Sequence, residues 1–481
     1  MNELLLGPIL GGLSEGGVNL WGRADSPGTL HAWLGSRPDL SDATLAARSL
    51  PLSAENGFAG VAPVRGLAPD TRYHYTLSLS PIPPDSRRVP YPKRSYPSFK
   101  TFPPRRKTAP FAFAFGSCFL PNNLKGGQIF HELEKRRRLD DLRFILLIGD
   151  QIYADAYDRN GIGKIASTLP DYRDVYQYTW SRSALRRLLL NLPVFMMMDD
   201  HEVDDDWTWK DPQRRQAQIP IWDRAIRWLQ KRPADERRLT RQRVRDALQA
   251  YWEHQGMHAP HLELAMQLNP QGQYTLSPAD PGSLAYTFTY GSAAFFVLDT
   301  RTMRIKSRKK RIILGEAQWQ ALERWLLAVK DVHPIKFLVS SNALLFTFWI
   351  DLAKDRWSGF PQERNRLLSF LADNDIEGVY ILTGDMHSAH AVRATLHGPQ
   401  DRRIRLWEFC SSPFEQVPNI VSNLTYRPIF TGPLEEQHLE FIVAQRNFGV
   451  VKVDYSAVGM PEVTFQVYSQ KGELLKEAGA D

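Results

Sequence analysis

The sequence predicts a mixed α/β chain in two parts. A small β-sandwich is expected over residues 1–103, followed by a larger unit over 108–481 in which strands and helices alternate. Three observations carry this. The 481 residues are about three times a typical ~150-residue domain. Up to residue 102 the pattern is of short alternating segments broken by turns, and from residue 111 it changes to continuous apolar runs separated by stretches of helical periodicity.

In the first part the strand candidates are residues 18–21, 30–34, 73–77 and 98–102. The segment 67–75, LAPDTRYHY, resembles the strand entry of fibronectin type III domains, where a tyrosine bonds back to the backbone at a sheet corner. Residues 103–107, PPRRK, have the stiff, polar composition of a linker. Gly12, Ser14 and Gly16 fit the GxSxG nucleophile pattern, but the strand-like stretch after them occupies the place where that pattern needs a helix. A turn explains these residues better. Walker A, HExxH and a GxGxxG in a β-α-β context are missing.

In the second part FAFAF at 111–115 and FILLI at 144–148 bracket a helical stretch through Ile129, Phe130 and Leu133, which is a β-α-β start. Further strand candidates at 194–198, 294–298, 337–339 and 379–382 each run into polar residues. Helices are predicted at 315–330, where Trp319, Leu322, Trp325 and Leu326 share a face, and at 362–373. Strands return at 450–454 and 463–467.

Composition narrows the function classes. Hydrophobic residues make up 43% and charged residues 23%, which excludes disordered and low-complexity readings. With only Cys118 and Cys410, no multi-disulfide framework, CxxC redox pair or CxxC zinc site can be built. Glu3 lies near the start and no Lys or Arg precedes Arg23, so the basic leader of a secretory signal is missing. No apolar run approaches the ~20 residues that span a bilayer. The expectation is a soluble, cytoplasmic protein, a secreted or periplasmic form requiring prior removal of a leader.

The net charge of +7 is local. Between Trp207 and Gln255 twelve Lys and Arg stand against six Asp and Glu, in a helical-looking insertion set at about 207–260. Trp222, Ala225, Ile226 and Leu229 fall at helical spacing there, so helices with solvated arginines are the plain reading, and a lid that steers phosphate-bearing substrates is the sharper one. The basic run 304–311 is read as a solvated loop in preference to a nucleic-acid contact.

Metal-ligand residue types recur where the strands end: Cys118; Asp150 and Tyr153; Asp200 and His201; Asp385 and His387. Each alone has an ordinary explanation, such as a buried small hydrophobe for Cys118 or a turn cap for Asp150. Together they are harder to dismiss. Apolar strands that deliver carboxylates, a thiol, a phenol and imidazoles to one sheet edge bury costly groups unless a cation collects them.

GSC at 116–118, GDQIYAD at 149–155, DDHEV at 199–203, DTR at 299–301 and GDMH at 384–387 together resemble the ordered motif set of PhoD-type alkaline phosphatases and phosphodiesterases, a branch of the calcineurin-like metallophosphoesterases. The likeness runs from about 111 to 412. It implies a metallophosphoesterase β-sandwich flanked by helices behind the N-terminal sandwich. It also implies that Asp150 bridges two metals, with Cys118, Tyr153 and His387 completing one site and Asp200 and Asp385 contributing to the other.

A thiolate and a phenolate favour a Lewis-acidic ferric ion and carboxylates favour a hard divalent ion, so the implied pair is Fe3+ with Ca2+, or with Mn2+, Mg2+ or Zn2+. His201 is then expected to stabilise the transition state or protonate the leaving group. Arg301 is expected to contact substrate phosphate, with a salt bridge as the alternative. Asn342, Asp204, Asp205 or Asp206 would complete the second site, and His390 would stand behind the ligands. The implied activity is metal-dependent hydrolysis of phosphate esters, monoester or diester. Two other readings are a catalytically silent module that binds a polyanion and a nuclease working through the basic insertion.

Overall fold

The structure of the protein, a computed structural model, describes residues 4–84, 95–121, 126–208, 239–260, 266–268, 274–276, 284–307, 309–348, 355–420, 426–429 and 432–480. Two large sheets form its centre. In the first, Phe111–Gly116, Leu142–Ile148 and Val194–Met197 run parallel side by side. In the second, Ala293–Val297, Ile335–Val339, Val379–Thr383 and Arg403–Cys410 do the same. Continuous apolar runs suit such strands because both of their faces are covered.

The side-chain alternation shows what covers them. Phe113, Phe115, Phe144, Leu146 and Phe195 point into one core shared with Phe295, Phe337 and Leu382 of the second sheet. The Phe113 ring stacks on Phe144 at 4.9 Å and meets Phe337 edge-on at 5.2 Å, so aromatic contacts join the sheets directly. Ala112, Ala114, Ile145 and Leu147 face the other way, into a core with helices Gln128–Leu139, Leu169–Trp180, Ser183–Leu189 and Arg241–His254. Phe296, Leu338 and Ile381 pack against Glu316–Val329 and Pro361–Asp373 on the far side. The layers are helix, sheet, sheet, helix, as the family resemblance implies for the larger unit.

The N-terminal strands divide between two sheets. Leu6–Gly11, Gly17–Arg23 and Ala59–Arg65 extend the first large sheet, joined to it where Gly11 lies parallel to Val194. Thr44–Arg48, His31–Gly35, Arg72–Ser78 and Ser98–Lys100 form a separate four-stranded sheet whose Ala32, Tyr75 and Phe99 share the central core. The corner tyrosine is Tyr73, whose phenol oxygen accepts the Ala68 N–H at 3.1 Å. Ser14 lies in the turn between two antiparallel strands, as its sequence context requires.

The basic run departs from expectation. Ile305–Lys306 pairs with Arg311–Ile312 and Arg304 is fully buried, while Lys309 and Lys310 between the two strands are exposed, so only part of the run is a solvated loop. Of the insertion, residues 209–238, including Trp222, Ala225, Ile226 and Leu229, lie outside the described residues. Its described helix Arg241–His254 buries Arg243 against Asp204 at 3.0 Å. No helix among the described residues is long and apolar enough to cross a membrane.

Candidate metal centre

The turns that follow the parallel strands of both sheets meet at one edge. Several of the polar residues they carry hold a left-handed backbone: φ is 61° at Cys118, 56° at Asp150, 63° at Asp385 and 50° at His387. For non-glycine residues this costs of order 1–3 kcal/mol each and persists where the surroundings fix it. Gly149 is needed beside Asp150, since a Cβ there would lie 2.5 Å from the Cβ of Asp199. Side chains tie the turns together. The buried Glu202 carboxylate accepts backbone N–H groups from Asp150 at 3.1 Å, Gln151 at 2.7 Å and Asp199 at 2.9 Å. Ser117 Oγ accepts the Asp385 N–H, and Ser412 Oγ accepts the His387 N–H and donates to Cys118 Sγ at 3.3 Å.

Asp150 stands at the centre of these groups. Its Oδ2 lies 3.3 Å from Cys118 Sγ and 3.2 Å from the Tyr153 hydroxyl, which is 3.5 Å from His387 Nε2. Its Oδ1 accepts the His201 N–H at 3.3 Å. Ligand atoms of Asp150, Asp199, Asp200 and Asp385 all lie within 4.8 Å of one another, and so do those of Asp150, Asp200 and His201. Cys118, Asp150, Tyr153, Asp200, His201, Arg301, Asp385 and His387 therefore sit in or against one cluster. The His201 ring stacks on Tyr153 at 4.1 Å and its Nδ1 is 2.8 Å from Asp155 Oδ1, which fixes the imidazole from behind.

Arg301 has no exposed surface. Its Nε donates to Asp199 Oδ1, while Nη2 bonds Asp355 at 2.9 Å and lies 3.6 Å from Asp200 Oδ2. Asp355 also takes Arg304 at 2.6 Å and Lys306 at 3.4 Å. The four candidates for the second site separate clearly. Asp204 is turned away onto Arg243, and Asp205 donates its N–H to Asp155. Asp206 forms a third acidic group with Asp200 and Asp355. Asn342 directs Nδ2 at Asp199 and Asp385, at 3.4 and 3.3 Å, with its oxygen bonded to Arg304. His390 bonds Glu408 at 2.8 Å, and Glu408 holds the backbone N–H groups of Leu344, Leu345 and Phe346, so this pair braces the loop after strand Ile335–Val339.

Sequence reasoning did not assign Asp199, Asp355, Asp155 or Glu202. Asp199 and Glu202 adjoin assigned residues and Asp155 closes a noted motif, so only their partners were hidden. Asp355 follows no predicted strand and gave no signal.

The donor set fits a cation. Asp200 Oδ1 is buried with no hydrogen-bond partner, a costly state for a carboxylate oxygen unless something positive faces it. Burial raises Asp150 well above the usual carboxylate range, with the Cys118 thiol adding to it, and pushes Asp199 up to about 8. Burial and then Asp385 raise the Cys118 thiol to about 12. His387 is lowered to about 4, chiefly by burial, which leaves a neutral imidazole with a lone pair to offer. Burial works against protonated His201, yet the carboxylates of Asp155, Asp150 and Asp200 outweigh it and hold its pKa well above the ordinary value.

Residues 112–461 match the model of the PhoD-like phosphatase family. Alkaline phosphatase D of Bacillus subtilis (strain 168) is 25% identical over 362 residues, covering 68% of this chain and 52% of that protein. Purple acid phosphatase 23 of Arabidopsis thaliana is 27% identical over 150 residues, covering 29% of this chain and 30% of that one. The chain thus spans about half the length of the first of these relatives and less of the second. Among solved structures, PhoD superposes with a TM-score of 0.69 at 18% identity over 98% of this chain and 92% of that one. The purple acid phosphatase PPD1 of yellow lupin superposes with a TM-score of 0.56 at 12% identity, over 98% and 73%. The fold is shared with both, and with more than half of its length matched by the family model the chain belongs to the PhoD-like phosphatase family.

Proposed function

We propose that the chain hydrolyses phosphate esters and depends on cations held around Asp150. The observation that carries this reading is the position of the Asp150 carboxylate. One of its oxygens contacts a thiol and a phenol, and the residue also belongs to a cluster of four carboxylates. It therefore joins two donor sets of different chemistry. Cys118, Tyr153 and His387 would hold Fe3+, and Asp200 and Asp385 would hold Ca2+ or another hard divalent ion such as Mn2+, Mg2+ or Zn2+. When bound, such a pair supplies Lewis acidity to a phosphoryl group and lowers the pKa of water.

The remaining roles follow from the chain's own geometry. His201, oriented through Nδ1 by Asp155, would present a proton to the leaving oxygen. Arg301 and Arg304, bonded to Asp199, Asp355 and Asn342, hold the acidic side chains in register, and Arg301 Nη1 is buried with no hydrogen-bond partner. Glu202 fixes the two turns that carry Asp150 and Asp199.

The test is turnover of p-nitrophenyl phosphate and bis-p-nitrophenyl phosphate with and without a chelator. At least one ester should be cleaved, with the activity lost on chelation and restored by added metal. Cleavage that persists in chelated protein, or cleavage of neither ester, would refute the reading.

A further inference from the structure

Strand Ala59–Arg65 is the last of the nine-stranded sheet, and its alternate residues Ala59, Val61 and Pro63 face the end of helix Arg241–His254 and the turn after it. Between this face, the neighbouring segment at 48–51 and the helix end lies a cavity of about 480 Å³. That is the size of a small-molecule site. Most of its wall is apolar, made by Leu50, Pro51, Val61, Pro63, Trp252 and Met257, and Leu50 is 46% exposed there. None of the lining residues belongs to the acidic clusters of the metal centre.

The polar groups of the wall are one-sided. Its side-chain acceptors are engaged: Asn19 Oδ1 takes Arg65 at 2.7 Å, Asn56 Oδ1 takes Gln249 Nε2 at 3.2 Å, and Ser49 Oγ takes the Leu30 N–H at 2.9 Å. Arg48 and Arg65 line the cavity and no Asp or Glu does. Arg65 donates to the Val18 and Val64 carbonyls and to Asn19, all uncharged, and Arg48 is exposed. Among the described residues neither arginine is held in an ion pair. Trp252 is buried, and its Nε1–H has no acceptor, an unmet donor in the same wall.

We propose that this cavity binds a small amphipathic carboxylate, an apolar ring or chain that ends in one carboxyl group. The apolar body covers Leu50, Val61, Trp252 and Met257 and removes their surface from water. The carboxylate meets the planar fork of Arg48, with Arg65 adding its field. Both halves are needed. A bare inorganic anion leaves the apolar wall wet, and an uncharged ligand leaves two cations without a counter-charge. The site stands apart from the phosphate-ester reading and does not depend on it.

The experiment titrates 2-naphthoate calorimetrically into the full-length protein, with 2-naphthamide as its uncharged match and acetate as the charge without the body. One equivalent of 2-naphthoate should bind, and 2-naphthamide and acetate should each bind about tenfold more weakly or less. Arg48→Ala should weaken 2-naphthoate about tenfold and leave 2-naphthamide unchanged. Val61→Trp, which fills the cavity, should abolish binding of both.

No binding of 2-naphthoate, equal affinity for 2-naphthamide, or unchanged 2-naphthoate affinity in Arg48→Ala would overturn the proposal. Binding that survives in folded Val61→Trp would overturn it equally, because the anion would then sit elsewhere on the chain. Should Val61→Trp not fold, the two titrations of Arg48→Ala decide alone, since Arg48 is exposed at the end of strand Thr44–Arg48 and its side chain supports no packing.

Discussion

Asp150→Asn should lower kcat/KM for the cleaved ester by roughly 10³-fold or more while leaving the protein folded. The substitution keeps the size of the side chain and removes its charge. Asp150 is the residue shared by the thiol-phenol set and the carboxylate set, so both lose their common ligand at once. The fold should tolerate the change well. The turn is held through the backbone N–H of residue 150, which donates to Glu202 whichever side chain follows. Burial already disfavours the charged form of Asp150, and an amide has no such cost, so the metal-free variant should unfold no more easily than the metal-free parent. Steady-state kinetics and a denaturant titration check the two halves of this expectation. A variant with near-parental kcat/KM would remove Asp150 from the centre of the account.

Arg301→Met should act in the opposite way, with its main effect on stability. The guanidinium is fully buried and is the common partner of Asp199, Asp200 and Asp355. Methionine fills similar space with no charge and leaves these carboxylates facing one another. Breaking a buried ion pair by removing one partner typically costs about 3–5 kcal/mol, and a network hinged on one cation should lie at the upper end of that range. Urea or guanidinium unfolding of metal-free protein reads this directly. Bound cations would offset part of the loss, so the deficit should shrink on metal loading. If Arg301→Met keeps its stability and loses only affinity for inorganic phosphate, then Arg301 is the phosphate contact that the sequence suggested.

The contrast between these residues shows what the sequence could reveal. Asp150 was legible because a parallel strand buried on both faces reads as an unbroken apolar run, and FILLI breaks off at Gly149 and Asp150. The same logic located Cys118, Asp200 and Asp385, each two or three residues past a strand of this kind. The corner tyrosine was legible for a local reason, since the bond that Tyr73 makes to the Ala68 backbone spans only five positions, although the sequence left Tyr73 and Tyr75 equally open.

The rest depends on contacts between distant segments. Asp355 meets Arg301 and Arg304 across more than fifty residues, and no period or motif marks it in advance. Asp155 and His201 are both within motifs, but only the fold shows that the carboxylate stands behind the imidazole. The run at 304–311 misled for the same reason. Arg304 and Lys306 read as solvated, as Lys309 and Lys310 are, because their partners, Asp355 and Asp206, lie elsewhere in the chain. The left-handed turns at Cys118, Asp150, Asp385 and His387 were equally hidden, since these residue types adopt that conformation only where neighbours impose it.

Asp150 is proposed to join two donor sets that hold cations together. Elemental analysis of bound metal per chain, in the unaltered protein and in Asp150→Asn, tests it most directly. About two cations per chain are expected in the unaltered protein, iron and a hard divalent ion, with occupancy of both falling in the variant. Equal metal content in the two proteins, or active protein that carries no metal, would contradict it.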